Sequence, residues 1–366
     1  MRHLGRFLLS GFAVLAWSGC AEQPSAPEEP LGEEPPIASR AKIAIVRSTA
    51  SSSIIHLANA DGTGVVPLTT GSSPAWSWDG RRIAFNRGFG LYVVNADGSG
   101  ERLLASHARG ASWSPDGSTL AYEHCTAGPD GGECYEHWDS LAIRGIGVAN
   151  VDGSGSRLLI PAICCTIPEY PIRSLTEITW SPDGRRIAFI AVSQECCWGS
   201  HESYLWIASA DGSTLSRVEI RGRFTFPGDA TTYESRYVSS PAWSPDGSRI
   251  GFTTHDVTLD RGQHPVVASI PSDGTGVWQV HYRCGRESDG QFCYLLDMDW
   301  SPDGRLIAFG LLEGKPSDGK GFRTYVLDVE TGETRQIIGD VPGSSPAYSD
   351  WGVAWSRVAE SDDGDP

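Results

Sequence analysis

The pentapeptide Trp-Ser-Pro-Asp-Gly at residues 113–117 decides the fold, because it recurs along the chain. Its proline presets φ and its glycine accepts positive φ, so each copy predicts a tight turn. Alternating apolar residues follow the turn, as in Arg186-Ile187-Ala188-Phe189, and predict a strand. Full copies of the pattern Trp-Ser-x-Asp-Gly begin at Trp76, Trp113, Trp180, Trp243 and Trp300, and a truncated sixth copy lies at Trp355-Ser356.

A second turn accompanies each copy, as in Asn95-Ala96-Asp97-Gly98. Matching turns lie at Asp61-Gly62, Asp152-Gly153, Asp211-Gly212, Asp273-Gly274 and Thr331-Gly332. Each unit therefore contains four short strands, which is the content of one propeller blade. Thirteen tryptophans and 43 glycines agree with an all-β protein that has many tight turns and buried aromatic residues.

The turns also predict the number of blades. Six second turns are present, but the turn at Asp61 has no Trp-Ser-x-Asp-Gly motif before it, and Trp355 has no blade after it. We therefore predict an all-β, six-bladed propeller over residues 41–357, in which the strand around Trp355 completes the first blade. Six blades need roughly 240–270 residues, which leaves room for long insertions.

The paired motifs Trp-Ser-Pro-Asp-Gly and Asn-Ala-Asp-Gly-Ser-Gly resemble the repeat of the TolB-like β-propellers. The resemblance covers nearly the whole of residues 41–357 and implies a binding platform, often for proteins of the cell envelope. Similar repeats accompany peptidases and lyases, so the resemblance is specific for the fold and weak for function. A separate N-terminal α/β domain like that of TolB itself is not expected, since residues 20–40 run directly into a strand at Lys42.

Residues 1–19 are typical of an export signal. Arg2 and Arg6 precede an apolar run of about ten residues, too short for the ~20 residues that cross a bilayer. The run ends at Trp17-Ser18-Gly19-Cys20, which resembles a lipoprotein cleavage box and predicts lipid attachment at Cys20. Ala21 is not the Asp that resembles an inner-membrane retention signal, which favours the outer membrane.

Residues 20–40 predict a tether, and residues 358–366 predict a disordered acidic tail. The tether segment holds five prolines and five glutamates, and such a composition cannot bury a core. Cleavage after residue 19 removes two arginines and no acid, so the formal net charge changes from −16 to −18. An acidic body argues against nucleic acid and anionic lipid, so we expect the membrane to be reached through acyl chains alone.

Long insertions are expected in second-to-third-strand loops and blade connections, which share one face of the disc. They span residues 123–145, 160–177, 191–203, 221–240, 253–265, 281–297 and 310–322. Eight cysteines lie there, an even number that suggests disulfides in an exported chain: Cys125, Cys134, Cys164, Cys165, Cys196, Cys197, Cys284 and Cys293. Equal spacing favours the pairs Cys125–Cys134 and Cys284–Cys293, and the pairing of the other four is open.

Histidines on the same loops support an alternative, a metal-assisted carbohydrate lyase or hydrolase. The candidate residues are His124, His137, His201, His255 and His264. Glu177, Asp297 and Asp299 precede motif tryptophans and are expected to line the central channel, as solvated carboxylates or as ligands of a cation such as Ca²⁺. No Gly-x-Ser-x-Gly elbow is present in the sequence, which argues against a serine hydrolase.

The sequence thus predicts a monomeric, lipid-anchored propeller without cofactor or catalytic centre. Its partner is expected to be an envelope protein or peptide, bound on the face that carries the insertions.

Overall fold

The structure is a computed structural model, and all its described elements are strands. The described residues are 42–48, 52–125, 144–161, 172–194, 201–218, 220–223, 232–234, 237–257, 263–275, 278–284, 292–314, 322–338 and 353–356. They belong to the compact unit Ile37–Pro366, whereas the unit Met1–Pro36 lies outside them. None of these residues forms a helix that could cross a membrane.

Six antiparallel blades of four strands form a six-bladed β-propeller, as the repeats predict. From the channel outward, blade 1 consists of β26 (Val353–Trp355), β1 (Lys42–Ser48), β2 (Ser53–Asn59) and β3 (Val66–Thr70). Blade 2 consists of β4 (Ser72–Trp76), β5 (Arg82–Arg87), β6 (Gly90–Asn95) and β7 (Arg102–Ser106). Blade 3 consists of β8 (Ala108–Trp113), β9 (Thr119–Cys125), β10 (Arg144–Asn150) and β11 (Arg157–Ile160).

The second half of the ring repeats this order. Blade 4 consists of β12 (Ile172–Trp180), β13 (Arg186–Gln194), β14 (His201–Ser209) and β15 (Leu215–Arg217). Blade 5 consists of β18 (Val238–Trp243), β19 (Arg249–Val257), β20 (Gln263–Pro271) and β21 (Gln279–Arg283). Blade 6 consists of β22 (Phe292–Trp300), β23 (Leu306–Gly314), β24 (Phe322–Asp328) and β25 (Thr334–Ile338). A separate hairpin, β16 (Arg221–Arg223) with β17 (Thr232–Glu234), lies between blades 4 and 5 in the chain.

The ring closes where the sequence predicts. Strand β26 pairs antiparallel with β1, with Ile43 opposite Trp355 and Ile45 opposite Val353. The N–H of Ser356 donates to the carbonyl of Lys42 at 2.7 Å, a bond that the other blades make within their Trp-Ser-x-Asp-Gly turns. The two chain segments therefore meet where blade 1 would carry its own turn, and blade 1 is completed by residues from both.

The motif serine and aspartate hold each turn together, as blade 3 illustrates. Ser114 Oγ donates to Asp116 Oδ1 at 2.6 Å and accepts the N–H of Thr119 at 3.0 Å. Asp116 also accepts the N–H of Ser118 at 3.0 Å. These bonds satisfy buried polar groups at the start of the second strand, and the serine makes the same two bonds in the other four full copies.

The motif tryptophans join neighbouring blades. Each of three indole N–H groups donates to a carbonyl on the inner strand of the preceding blade: Trp113 to Ala75 at 3.0 Å, Trp243 to Thr179 at 3.3 Å and Trp300 to Ala242 at 3.2 Å. The guanidinium of Arg82 lies 4.8 Å from the Trp113 ring centre, a cation–π contact across the same boundary. The core therefore lies between the blades, and the tryptophan packing fixes their spacing.

Part of the sequence assigned to loops forms strands instead. Strand β12 begins at Ile172, β19 continues to Val257 and β22 begins at Phe292, within the stretches expected as insertions. The three strands are each nine residues long. Each pairs along its length with a strand that is also nine residues long: β12 with β13, β19 with β20 and β22 with β23. Apart from residues 224–231, between β16 and β17, and residues 276–277, between β20 and β21, the segments that separate the described ranges connect second to third strands or successive blades, as predicted.

Candidate functional site

A cavity of about 510 Å³ lies on the propeller axis and is lined by the innermost strands of all six blades. Its wall includes the carboxylates of Glu123, Glu177, Asp297 and Asp299, together with Arg109. The sequence-based placement of Glu177, Asp297 and Asp299 on the channel is therefore confirmed.

A repeated irregularity shapes this wall. In five inner strands the register shifts just before the motif tryptophan, and one residue there adopts positive φ. This channel position, the third residue before the tryptophan, is occupied by Ser73 (φ 50°), Gly110 (45°), Glu177 (52°), Ser240 (52°) and Asp297 (28°). Non-glycine residues rarely adopt this region, and such bulges redirect a side chain out of the strand's regular alternation.

The channel carboxylates bind main-chain groups of the next blade. Glu177 Oε2 accepts the N–H of Ser240 at 2.5 Å. Asp297 Oδ2 accepts the N–H of Val353 at 3.0 Å, and Asp299 Oδ2 accepts the N–H of Trp355 at 2.9 Å. An inner strand has a sheet partner on one side only, so its other N–H groups need acceptors from elsewhere. The carboxylates supply them and join blade to blade.

Two further acceptors of this kind were missed by the sequence analysis. Asn86 and Glu123 are the tenth residues after Trp76 and Trp113, within otherwise apolar second strands, and both are buried. Asn86 Oδ1 accepts the N–H of Gly110 at 2.8 Å, and Glu123 Oε1 accepts the N–H of Glu177 at 3.0 Å. The sequence does contain a signal for them. Each is a polar residue at a strand position where the alternating pattern predicts a buried side chain, and a buried polar side chain needs a hydrogen-bond partner.

Two of the carboxyl groups hold protons more strongly than usual. Burial, followed by the charge of Asp299, raises the pKa of Asp297 to about 7, although N–H bonds from Val353 and Met298 act in the opposite direction. Burial between the channel walls, with the charges of Asp297 and Glu123, raises the pKa of Glu177 to about 7. Glu177 is exposed to the channel whereas Asp297 is half-buried, so water screens Glu177 more and Asp297 is the stronger case.

A buried serine–histidine contact lies away from the channel. Ser269 Oγ accepts Arg249 Nε at 2.7 Å and lies 2.8 Å from His281 Nε2. The hydroxyl keeps one O–H donor and a second lone pair, so the tautomer of the imidazole sets the direction of the bond between Ser269 and His281. Burial, and then the charge of Arg249, lower the pKa of His281 to about 4. Ser269 is 0% exposed, so this pair supports packing between strands and offers no accessible nucleophile.

The histidines of the alternative enzyme site have defined strand positions but mostly undescribed side chains. His124 lies near the end of β9, His201 begins β14, and His255 and His264 lie in the β19–β20 hairpin, where His255 is opposite Pro265. All four are at the end of their blades that carries the second-to-third-strand connections, and His137 lies outside the described residues. Within the described part of the chain, no three His, Cys, Asp or Glu side chains are arranged to hold a metal.

Most of the cysteines with a predicted role lie outside the residues that the structure describes. Cys125 ends β9, Cys293 lies in β22, and Cys284 is buried directly after β21. Cys20, Cys134, Cys164, Cys165, Cys196 and Cys197 fall outside the described residues. The pairing of the eight cysteines other than Cys20, and lipid attachment at Cys20, stay predictions.

Known proteins resemble this chain in part of the sequence and across the fold. No protein-family model matches the sequence. The chain is 34% identical over 119 residues to the Tol-Pal system protein TolB of Gluconobacter oxydans. That match covers 30% of this chain and 22% of the relative, so it spans less than a quarter of the relative's length.

Solved structures share the propeller. TolB from Acinetobacter baumannii superposes with a TM-score of 0.56 at 16% identity, covering 86% of this chain and 66% of that chain. Oligogalacturonate lyase from Vibrio parahaemolyticus superposes with a TM-score of 0.50 at 12% identity, covering 82% of each chain. At these identities the two structures indicate the fold alone. Together with the motif repeat, the six blades and the partial sequence match to TolB, they show that the chain has the β-propeller fold that TolB also contains.

Proposed function

We propose that this chain is a non-catalytic, lipid-anchored platform that binds a protein or peptide of the bacterial cell envelope. The main observation that supports this proposal is the axial cavity. Its volume of about 510 Å³ falls within the ~300–1,000 Å³ of typical ligand sites. Six strands braced by side-chain bonds between blades form its wall, and a rigid wall lowers the entropic cost of binding.

The similarity to TolB favours a protein partner over a small molecule. The relative from Gluconobacter oxydans is named as a protein of the Tol-Pal system, and membership of a multi-protein system implies contact with other proteins. Loops displayed on the propeller would add contacts around the channel mouth, because binding residues concentrate on loops held by a rigid scaffold. We expect the chain to act as a monomer.

Photo-cross-linking in living cells tests the platform. A photoreactive amino acid in place of Thr176, which lines the cavity, is compared with the same group in place of Ser118, which is exposed in a turn. We expect Thr176 to capture one reproducible exported protein, identified by mass spectrometry, and Ser118 not to capture it. Equal capture at both positions, or none at Thr176, would contradict the proposal.

Membrane attachment has its own test. The signal-like residues 1–19 and the tether 20–40 support lipidation at Cys20 and a position in the outer membrane. Metabolic labelling with a fatty-acid analogue is expected to mark the wild-type chain and not Cys20→Ala, which should also lose its membrane association. A labelled Cys20→Ala variant, or an unlabelled wild type, would exclude this anchor.

The alternative remains a metal-assisted carbohydrate lyase or hydrolase. Four candidate histidines at one end of three consecutive blades support it, as does the shared fold of a structure named oligogalacturonate lyase. Such an enzyme requires a bound metal, so elemental analysis of the purified protein separates the two functions. Stoichiometric metal that is lost in a His255→Ala, His264→Ala double variant would favour the enzyme.

A further inference from the structure

One residue that lines the axial cavity departs from the repeat. Among the described residues of the Trp-Ser-x-Asp-Gly turns, Trp78 is the only one besides the motif tryptophans that reaches the cavity. It occupies position x of blade 2, which is proline in the other four full copies: Pro115, Pro182, Pro245 and Pro302. The turn that departs from the pattern is therefore the turn that contributes an extra side chain to the cavity.

The turn itself does not require a tryptophan at this position. In blade 2 the Gly80 N–H donates to the Ser77 carbonyl at 2.9 Å, and the equivalent bond in the proline-containing turns is 2.8 or 2.9 Å. Proline presets φ here and lowers the entropy of the unfolded chain, so it suits the turn better than tryptophan does. The reason for the large side chain therefore lies outside the turn.

Contacts with blade 3 position the Trp78 ring. Its Nε1–H donates to the Trp113 carbonyl at 3.1 Å, and the ring packs against the core between blades 2 and 3. The side chain is only half-buried and lines the cavity, so it supplies an aromatic surface at the end of the channel that carries the first-to-second-strand turns. A ring that is already held in place costs a ligand little ordering entropy.

Carboxylates lie on the other side of the cavity. In a ring of six blades, blade 5 is opposite blade 2, and blades 4 and 6, which flank blade 5, supply Glu177, Asp297 and Asp299. Glu123 of blade 3 is a fourth carboxylate, and Arg109 is the only basic side chain among the described residues that line the cavity. Acidic groups therefore outnumber basic ones on this wall.

Glu177 is the carboxylate best placed to meet a ligand. Asp297 and Asp299 each accept two main-chain N–H groups, one at each oxygen. Glu177 Oε2 accepts the Ser240 N–H, whereas no described residue donates to its Oε1. Glu177 is also exposed to the channel. Its Oε1 can therefore accept a charge-assisted hydrogen bond from a cationic donor that enters the cavity.

We propose that the axial cavity binds an extended segment of the partner chain, with a lysine or arginine side chain at Glu177 and an apolar side chain on Trp78. Glu177 is the third residue before a motif tryptophan and Trp78 the second residue after one, so they lie at different depths along the axis. A ligand that meets both must therefore be an extended segment and not a single ion. The inference rests on the proposed peptide-binding function and specifies which side chains the site selects.

The two contacts have different consequences for selectivity. The aromatic surface of Trp78 favours apolar side chains whatever the charge of the segment. Glu177 and the other carboxylates favour a cationic side chain and repel an acidic one. Trp78 therefore contributes to the affinity for all segments, and Glu177 sets the preference for a basic one.

Capped peptides that differ at one position separate these contributions. The probes are Ac-Leu-Gly-Gly-Xaa-Gly-Gly-Leu-NH2 with Xaa as Lys, Gln or Glu, and the two leucines present an apolar side chain in either chain direction. Titration calorimetry of the full-length protein should show the Lys peptide binding about five- to tenfold more tightly than the Gln peptide, and the Glu peptide binding most weakly. Equal binding of the three peptides, or no binding of any, would overturn the proposal.

Two variants assign the contacts. Trp78→Pro restores the turn of the other blades, so it should fold, and it should weaken all three peptides by about threefold or more while keeping their order. Glu177→Gln keeps an oxygen for the Ser240 N–H, and it should weaken only the Lys peptide, to the level of the Gln peptide. Glu333→Gln makes the same change at an exposed residue outside the cavity and should bind as the wild type does. Circular dichroism checks that each variant is folded.

Other outcomes exclude the proposed contacts. A preference for the Lys peptide that persists in Glu177→Gln, or unchanged affinities in Trp78→Pro, would overturn the assignment of that residue. Displacement of the Lys peptide by equimolar calcium chloride would overturn the proposal in favour of a metal site. Cross-linking from Thr176 tests the platform separately, because a captured segment without lysine or arginine would contradict this inference and leave the platform standing.

Discussion

Single polar side chains complete the hydrogen bonding that the propeller's sheets leave unfinished. Asn86 is the clearest example, since it accepts the Gly110 N–H and donates to the Ala108 carbonyl, both at 2.8 Å. Loss of a buried partner costs about 1–3 kcal/mol for each group left unsatisfied. Asn86 therefore has a structural role, because it joins blade 2 to blade 3.

Asn86→Ala should lower the free energy of unfolding by about 2–4 kcal/mol, because it removes the side-chain partner of the buried Ala108 carbonyl and of the partly buried Gly110 N–H. Asn95→Ala is the matched control, since the Asn95 side chain bonds to Ser99 on an exposed turn. We expect the control to lose less than about 1 kcal/mol in urea denaturation. Equal losses in the two variants would show that blade-to-blade bonding by Asn86 is unimportant.

His281 should make the stability of the folded protein depend on pH. Its pKa is lowered from 6.5 to about 4 in the folded protein, so the unfolded chain binds more protons between these values. The stability that it contributes is present above pH 6.5 and is lost as pH falls toward 4. In His281→Asn, unfolding free energies measured from pH 4 to 7 should lack this loss, whereas the exposed His107→Asn should retain it.

At the level of elements, the Trp-Ser-x-Asp-Gly turn is a small hydrogen-bonded unit that joins the first and second strands of blades 2 to 6. In blade 3 the Ser114 hydroxyl bond, the largest contribution, lowers the pKa of Asp116, and the bond from the Ser118 N–H adds to it. The ionised aspartate therefore stabilises the folded turn above the usual aspartate pKa, and this contribution is lost as the pH falls through the lowered value.

A double-mutant cycle measures the bond within this turn. Ser114→Ala, Asp116→Ala and the double variant are compared by urea denaturation at pH 7, and we expect a coupling energy of about 1 kcal/mol. The cycle removes the separate contribution of the Ser114 bond to the Thr119 N–H. A coupling indistinguishable from zero, or one that persists at pH 2, would contradict the turn's assigned role.

The blade count, the closure by Trp355 and the channel positions of Glu177, Asp297 and Asp299 were all predictable from the sequence. Repetition made this possible, because each turn signal recurs with the same neighbours. The roles of Asn86 and Glu123 were not predictable, since their partners are main-chain groups of the next blade, which no local pattern indicates. The nine-residue strands were also missed, because pairing with a neighbouring strand, and not local propensity, set their ends.

At the level of the whole molecule, interfaces between blades hold the ring together. Motif tryptophans, arginine contacts such as Arg186 over Trp243 at 4.6 Å, and the side-chain acceptors all cross a blade boundary. Each blade therefore depends on two neighbours, and an isolated blade would expose both faces of its sheet. This mutual dependence explains why the short strand Val353–Trp355 is sufficient to close the ring.

The bond from the Ser356 N–H to the Lys42 carbonyl matches the bond that closes each full Trp-Ser-x-Asp-Gly turn, so this junction of blade 1 is equivalent to the turns of the other blades. A circular permutant that joins Ser356 to Lys42 through the four residues Pro-Asp-Gly-Arg, as in the turn from Ser301 to Leu306, and begins instead between Asp183 and Gly184, should fold with an unchanged circular dichroism spectrum and a thermal midpoint within a few degrees of the parent. Cutting between Phe189 and Ile190, inside a strand, should prevent folding. The six blades are therefore structurally equivalent, and the order of the strands in the sequence reflects only which junction between a first and a second strand has no covalent connection.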